Sequence, residues 1–312
     1  MRVVILIFFV TTLFSACKEK EHSLTGFFTM PDYPSGSGIA YHDKKLYLMG
    51  DDASYLMITD TAFKTLDTIS FFASETKRIP KEIKKDSEAA AIVSVNRIPS
   101  LMMIGSGSGP ARNYCWIFDP ITKEKTEIAL DTFYNRLKKA GLKNLNIEGL
   151  TEIPGGILLA SRGNKSSPKN YLIFTSNAFW KDQANTPFYI SLLGATEDTT
   201  AFIGVSGLEY SRLSDRLLLT TSTENTYSSL GDGEIGKSFI WIIHDITSKK
   251  NYSGINPAIK IDLETIDKRF SKQKIESLCI ISENNKRAEV VLVSDDDKGG
   301  SVIFKLLLKS KR

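Results

Sequence analysis

Apolar residues recur along this chain in short runs, too short for core helices and bounded by turn-forming residues. Residues 146–164, NIEGLTEIPGGILLASRGN, show the unit. Two runs, 149–153 and 157–160, flank a Pro-Gly-Gly turn, with Glu148 ahead of the first and Ser161-Arg162-Gly163-Asn164 behind the second. As a hairpin, this places Glu148 and Arg162 at the same end of paired strands.

The pattern returns five times. Ser37, Glu88, Glu148, Ser206 and Glu276 each open a small or apolar segment. A turn follows, then the apolar runs 46–49, 101–104, 157–160, 217–220 and 290–293, each closed by a polar cluster. Third strands are expected at 55–59, 114–118, 171–175, 239–244 and 302–308, and more polar fourth strands at 66–71, 125–130, 188–193 and 259–263. The fifth copy runs out of chain before its fourth strand, which residues 24–30 can supply from the other end. Four-stranded antiparallel blades at a spacing of about 50–60 residues, closed by an N-terminal strand, predict an all-β fold: a β-propeller of five blades, with six as the alternative. Between blades, 131–142 reads as a helix with Phe133, Leu137 and Ala140 on its inner face, and 263–270 as a weaker one.

The first residues stand outside this pattern. Arg2, the apolar run 3–14 and Ser15-Ala16-Cys17 form a signal-peptide pattern whose end resembles a lipobox, with Cys17 as the lipidated residue. The expected division is a signal peptide over 1–16, a charged tether over 17–23 and a single propeller over 24–312. Cys115 and Cys279 fall inside predicted strands at different repeat positions and read as buried thiols. A net charge of +4 from 40 basic and 36 acidic residues, with no basic stripe, speaks against a nucleic-acid partner. His22, His42 and His244 share no zinc-ligand spacing. Gly105-Ser106-Gly107-Ser108-Gly109 lacks the Lys-Ser/Thr of a phosphate loop.

In a propeller the innermost strands line the central channel, so Ser37, Glu88, Glu148, Ser206 and Glu276 converge. The second-strand ends bring Asp51, Asp52, Ser106, Arg162, Ser222, Asp295 and Asp296 to the same face. Three carboxylates there require an offset: Arg162, raised carboxylate pKa values or a bound cation. The oxygen-rich inventory suits a hard cation, Ca²⁺ first, with Glu88, Glu148, Glu276, Asp51 and Asp295 as candidate ligands. Arg162, Asn164, Ser106, Ser222 and Glu224 are the candidates for holding an organic ligand, the last two opening a long loop on the same face.

SGIAYHDKKLYLMGDD, LMMIGSGSG, NIEGL…LLASRGN, SGLEY…TTSTENT…GDGEIGKSF and IESL…LVSDDDKGG together resemble a family of envelope β-propellers of unknown function. That family is itself similar to phytase-like esterase domains and SdiA-regulated-like proteins. The resemblance implies a calcium-associated propeller, with Glu88, Glu148 and Glu276 at blade starts and Ser37 and Ser206 departing from that pattern. Two functions are therefore expected in competition. One is a monomeric lipoprotein of the outer membrane, with surface exposure as a variant, that meets the bilayer through Cys17 and binds a small molecule or envelope partner at the channel face. The other is a calcium-dependent phosphoester or ester hydrolase, with Arg162 holding the oxyanion and a channel glutamate as base.

Overall fold

The computed structural model describes residues 21–72, 74, 76–80, 83–194, 202–224, 235–295 and 299–309. After β1 (His22–Met30), the first blade comprises β2 (Gly36–His42), β3 (Lys45–Gly50), β4 (Tyr55–Asp60) and β5 (Thr65–Ser70). The second holds β6 (Ser87–Val95), β7 (Ile98–Gly105), β8 (Tyr114–Phe118) and β9 (Lys125–Ala129), and is followed by α1 (Asp131–Lys139). The third holds β10 (Ile147–Ile153), β11 (Gly156–Ser161), β12 (Asn170–Thr175) and β13 (Phe188–Leu193). The fourth begins with β14 (Ile203–Ser211), β15 (Arg216–Glu224) and β16 (Ile235–His244). Its chain then lays β17 (Gly254–Ile255) parallel against β13 of the third blade before returning as β18 (Ile259–Asp262). The fifth holds β19 (Lys274–Asn284), β20 (Arg287–Asp295) and β21 (Ser301–Lys309), and β1 pairs antiparallel with β21 to complete it. The five-bladed propeller closed by its N-terminal strand is thus observed.

Period-two alternation explains why the second strand of each blade is a continuous apolar run. In β3, Leu46 and Leu48 enter the seam with the fifth blade, while Tyr47 and Met49 enter the seam with the second. Every blade is buried on both faces in this way, and the five apolar clusters among the described residues are the five seams. Cys115 and Cys279 are free, buried thiols within two of these seams.

The innermost strands β2, β6, β10, β14 and β19 each pack on the next around the ring. This close approach demands small residues. A Cβ on Gly207 would stand 2.9 Å from the Glu276 carbonyl, and one on Gly149 would stand 2.6 Å from the Leu208 side chain.

The helix α1 ends earlier than its periodicity suggests. It buries Phe133, Tyr134 and Leu137 against Phe179 and Trp180, and leaves Ala140 exposed. Residues 263–270 form two 3₁₀ turns, Leu263–Thr265 and Lys268–Phe270, because Asp262 and Asp267 each accept an N–H two residues on and start a new turn.

Candidate functional site

The innermost strands all begin on one face of the disc, here the upper, and end on the lower. Each of the five carries a β-bulge near its start. The pairing register skips Ser37 in β2, Glu88 in β6, Glu148 in β10, Ser206 in β14 and Glu276 in β19. A bulge leaves a residue out of the ladder and re-aims its side chain. The in-phase polar residues of the sequence are therefore one ring of bulges at the upper mouth of the channel.

The two serines are spent on structure. Ser37 Oγ donates to the Ser87 carbonyl at 2.6 Å, and Ser206 Oγ donates to the Ile275 carbonyl at 2.6 Å. Each ties its blade to the next, just ahead of that blade's glutamate. The three glutamates differ according to the residue two positions ahead of each. Asn146 Nδ2 donates to Glu148 Oε1 at 2.5 Å, and Lys274 Nζ lies 2.8 Å from Glu276 Oε1. Ahead of Glu88 stands Asp86, a like charge. Glu88 accepts no hydrogen bond among the described residues. Its carboxyl is pushed well above the usual range, first by burial and then by Asp86, Glu148 and Asp51.

Asp51, Asp86 and Glu88 bring one carboxylate oxygen each to within 4.8 Å of one another. Asp86 enters its strand at φ 57°, the left-handed region. Its Oδ2 accepts from Ser106 Oγ at 2.6 Å and Arg112 Nη1 at 2.8 Å, and its Oδ1 lies 3.1 Å from Lys84 Nζ. Lys84 also pairs with Asp51. Burial pushes Asp51 up to about 6, opposed by Lys84 and reinforced by Asp52 and Asp86. Asp52 is held at 2.5 Å by Arg78 Nε. Among the described residues, Asp51 Oδ1, Asp52 Oδ1 and Glu276 Oε2 are buried without a hydrogen-bond partner.

Glu148 and Arg162 do stand at the same end of a hairpin, flanking the Ile147–Ser161 pair. Burial raises Glu148 to about 7 against the pull of Arg162, and Glu276 adds to the rise. Arg162 is only 6% exposed; its guanidinium crosses the fourth blade at Gly204 and donates to Ser222 Oγ at 3.5 Å. Of the expected offsets to the carboxylates, Arg162 is joined by Lys84, Arg112, Arg78 and Lys274.

The other expected residues are distributed around the mouth. Of the five candidate metal ligands, Asp51 and Glu88 meet in one group, completed by Asp86. Glu148 and Glu276 continue the ring, and Asp295 ends β20 opposite Lys274 and Ser301. Ser106 is buried against Asp86. Asn164 spends its carbonyl oxygen on the backbone of Ser166 and Ser167, a local turn. Glu224 ends β15 opposite Ile235. The long loop that follows, residues 225–234, lies outside the described residues, as do Asp296, the signal segment and Cys17.

Asp86, Lys84 and Arg112 were missed in the sequence. Phase gives the signal for Asp86: Ser35, Asp86, Asn146, Gly204 and Lys274 each stand two residues ahead of a bulge. Lys84 and Arg112 lie in connections with no repeat to mark them.

Residues 32–308 match the family of unknown function DUF6929, and the chain belongs to that family. No curated protein matches the sequence. Among solved structures, a glutaminyl cyclase from Myxococcus xanthus is similar at 8% identity over 93% of this chain and 97% of that one, with a TM-score of 0.50. The arabinanase Arb43A of Bacillus subtilis is similar at 11% identity over 89% of this chain and 96% of that one, also with a TM-score of 0.50. At such identities the likeness is one of fold. It does not extend the resemblance to phytase-like or SdiA-regulated-like proteins.

Proposed function

We propose that the upper mouth is the ligand site of an envelope-anchored binding lipoprotein, and that the ligand is received as a hard cation, Ca²⁺ in the simplest case, by Asp51, Asp86 and Glu88. The observation that carries this reading is Glu88. It is the ring glutamate whose neighbour two positions ahead is a carboxylate, and it sits without a hydrogen-bond donor in a group whose oxygens approach within 4.8 Å. A calcium ion takes six to eight oxygen ligands at about 2.3–2.6 Å. Three carboxylates supply part of such a shell, and the unpartnered Asp51 Oδ1 belongs to the same group. Lys84 is the internal competitor, an ammonium between Asp51 and Asp86 that an incoming cation displaces.

A catalytic reading has one observation in its favour: Glu148, raised to about 7 beside Arg162, is poised for base chemistry near neutral pH. Calcium-dependent ester hydrolysis would need Arg162 to grip an oxyanion, whereas that guanidinium is buried against Gly204. Binding is therefore the reading the geometry supports best.

Calorimetric titration with CaCl₂ tests it. The proposal expects saturable binding by the natural protein and at least a tenfold loss in Glu88→Gln, with a smaller loss in Glu148→Gln. Equal affinity in Glu88→Gln would place the cation elsewhere.

A further inference from the structure

We infer that the lower mouth of the channel is a second binding site, one that takes a small molecule bearing a primary ammonium group, with Glu209 as its counter-ion. This goes beyond the reading of the upper mouth and shares no residue with it. Between the ends of β2, β6, β10 and β14 lies a cavity of about 470 Å³, within the range of small-ligand sites. Three residues beyond the bulges, the innermost strands carry Ala40, Ala91, Thr151, Glu209 and Cys279. Four of these side chains are small, and Ala40, Ala91 and Thr151 line the cavity beside Glu209, the one carboxylate at this ring position; Glu152 and Arg212 also line it, as an ion pair.

A purely structural role does not require a carboxylate there. Thr151 and Glu209 do the same work in consecutive blades, each accepting an N–H from the next innermost strand. Tyr210 N donates to Thr151 Oγ1 at 3.2 Å, and Ile280 N donates to Glu209 Oε1 at 3.1 Å. A threonine suffices for that bond, whereas a glutamate brings a second oxygen, which has no protein partner among the described residues. The cations and anions nearby do not neutralise it. Arg212 Nη2 lies 2.7 Å from Glu152 Oε2 and is committed there, and Glu283 adds a like charge. Burial, with Glu283, pushes the Glu209 carboxyl up to about 8, against the pull of the Ile280 N–H and Arg212, so an arriving cation would be bound by ionising it. His42 and Tyr41 complete the polar wall. One free oxygen suits a compact ammonium better than a guanidinium, which prefers both oxygens of a carboxylate.

The ammonium can come from a free amine or from a lipid headgroup, and the test separates the two. Purified protein is titrated with ethanolammonium chloride, with ethylene glycol as the neutral isostere. It is also mixed with phosphatidylcholine vesicles with and without phosphatidylethanolamine. Saturable binding of ethanolammonium but not ethylene glycol, weakened at least tenfold in Glu209→Gln, supports the site and a free amine. Binding confined to the phosphatidylethanolamine vesicles and lost in Glu209→Gln supports the site and a headgroup. The Glu209→Gln variant keeps an acceptor for Ile280 N, and a melting temperature unchanged at pH 5, below the range in which the folded Glu209 carboxyl ionises, shows that the fold is intact. Ser94→Trp blocks the rim without touching Glu209 and should lose binding too. No binding in either arm, or equal binding by Glu209→Gln and Ser94→Trp, overturns the inference.

Discussion

Glu88 and Glu148 hold the same bulge position in neighbouring blades, yet one residue two places earlier sets their chemistry apart. Asn146 gives Glu148 a donor, while Asp86 gives Glu88 a second negative charge. Lys84 is what makes that arrangement tolerable, being largely buried and paired with both Asp51 and Asp86. Removing one partner of a buried pair leaves an uncompensated charge, at a cost of about 3–5 kcal/mol. Lys84→Met should therefore lower the melting temperature in chelator and recover much of the loss in millimolar calcium, as thermal melts will show. The raised carboxyls also set a pH dependence. Asp51 at about 6, Glu148 at about 7 and Glu209 at about 8 all hold protons in the folded state that the unfolded chain has released. Stability must then fall as pH rises from the unfolded carboxylate range, near 4–4.5, to about 8. Melting scans from pH 5 to 8.5 should show this decline, and Glu209→Gln should flatten its upper end by about 2 °C or more.

At the scale of elements, the repeat made most of the fold legible. Alternation marked the strands, and phase marked the bulge residues before any bulge was visible, because five blades impose one geometry on five positions. What the repeat does not govern was not legible. Lys84 and Arg112 reach the site from connections, through ion pairs that no repeat position marks. The short β17 leaves its own blade to extend the third, and nothing in Gly254-Ile255 announces a parallel partner. Ala140 fits the helical period but falls beyond the last turn of α1. The closing strand was legible because the fifth copy lacked an edge. β1 covers β21 along its length, and Phe27 packs edge-on against Phe304 at 5.3 Å. Deleting residues 21–31 should expose that edge and produce aggregation by size-exclusion chromatography. A truncated protein that stays monomeric with unchanged melting would contradict closure by this strand.

For the whole molecule, the direction of β1 has a consequence. It runs from the lower face at His22 to the upper face at Met30, since His22 pairs with Leu308 and Met30 with Ser301. If Cys17 carries lipid, at most about 18 Å of extended chain separates it from His22. The lower face would then lie towards the bilayer, with the carboxylate ring facing away from it. Labelled palmitate should enter the natural protein and not Cys17→Ala, and equal labelling of both would remove the anchor from the account. Whether the ring holds a cation is decided by metal analysis of the purified protein joined to melting with calcium or chelator. A cation bound only by the folded state adds about 2.7 kcal/mol at a hundredfold excess over its dissociation constant. Bound calcium is expected, with a melting temperature raised by calcium and lowered by chelator, and both effects lost in Glu88→Gln. No bound metal and no shift in melting would contradict calcium binding at the ring, leaving Lys84 and Arg112 as the counter-charges of the carboxylate group.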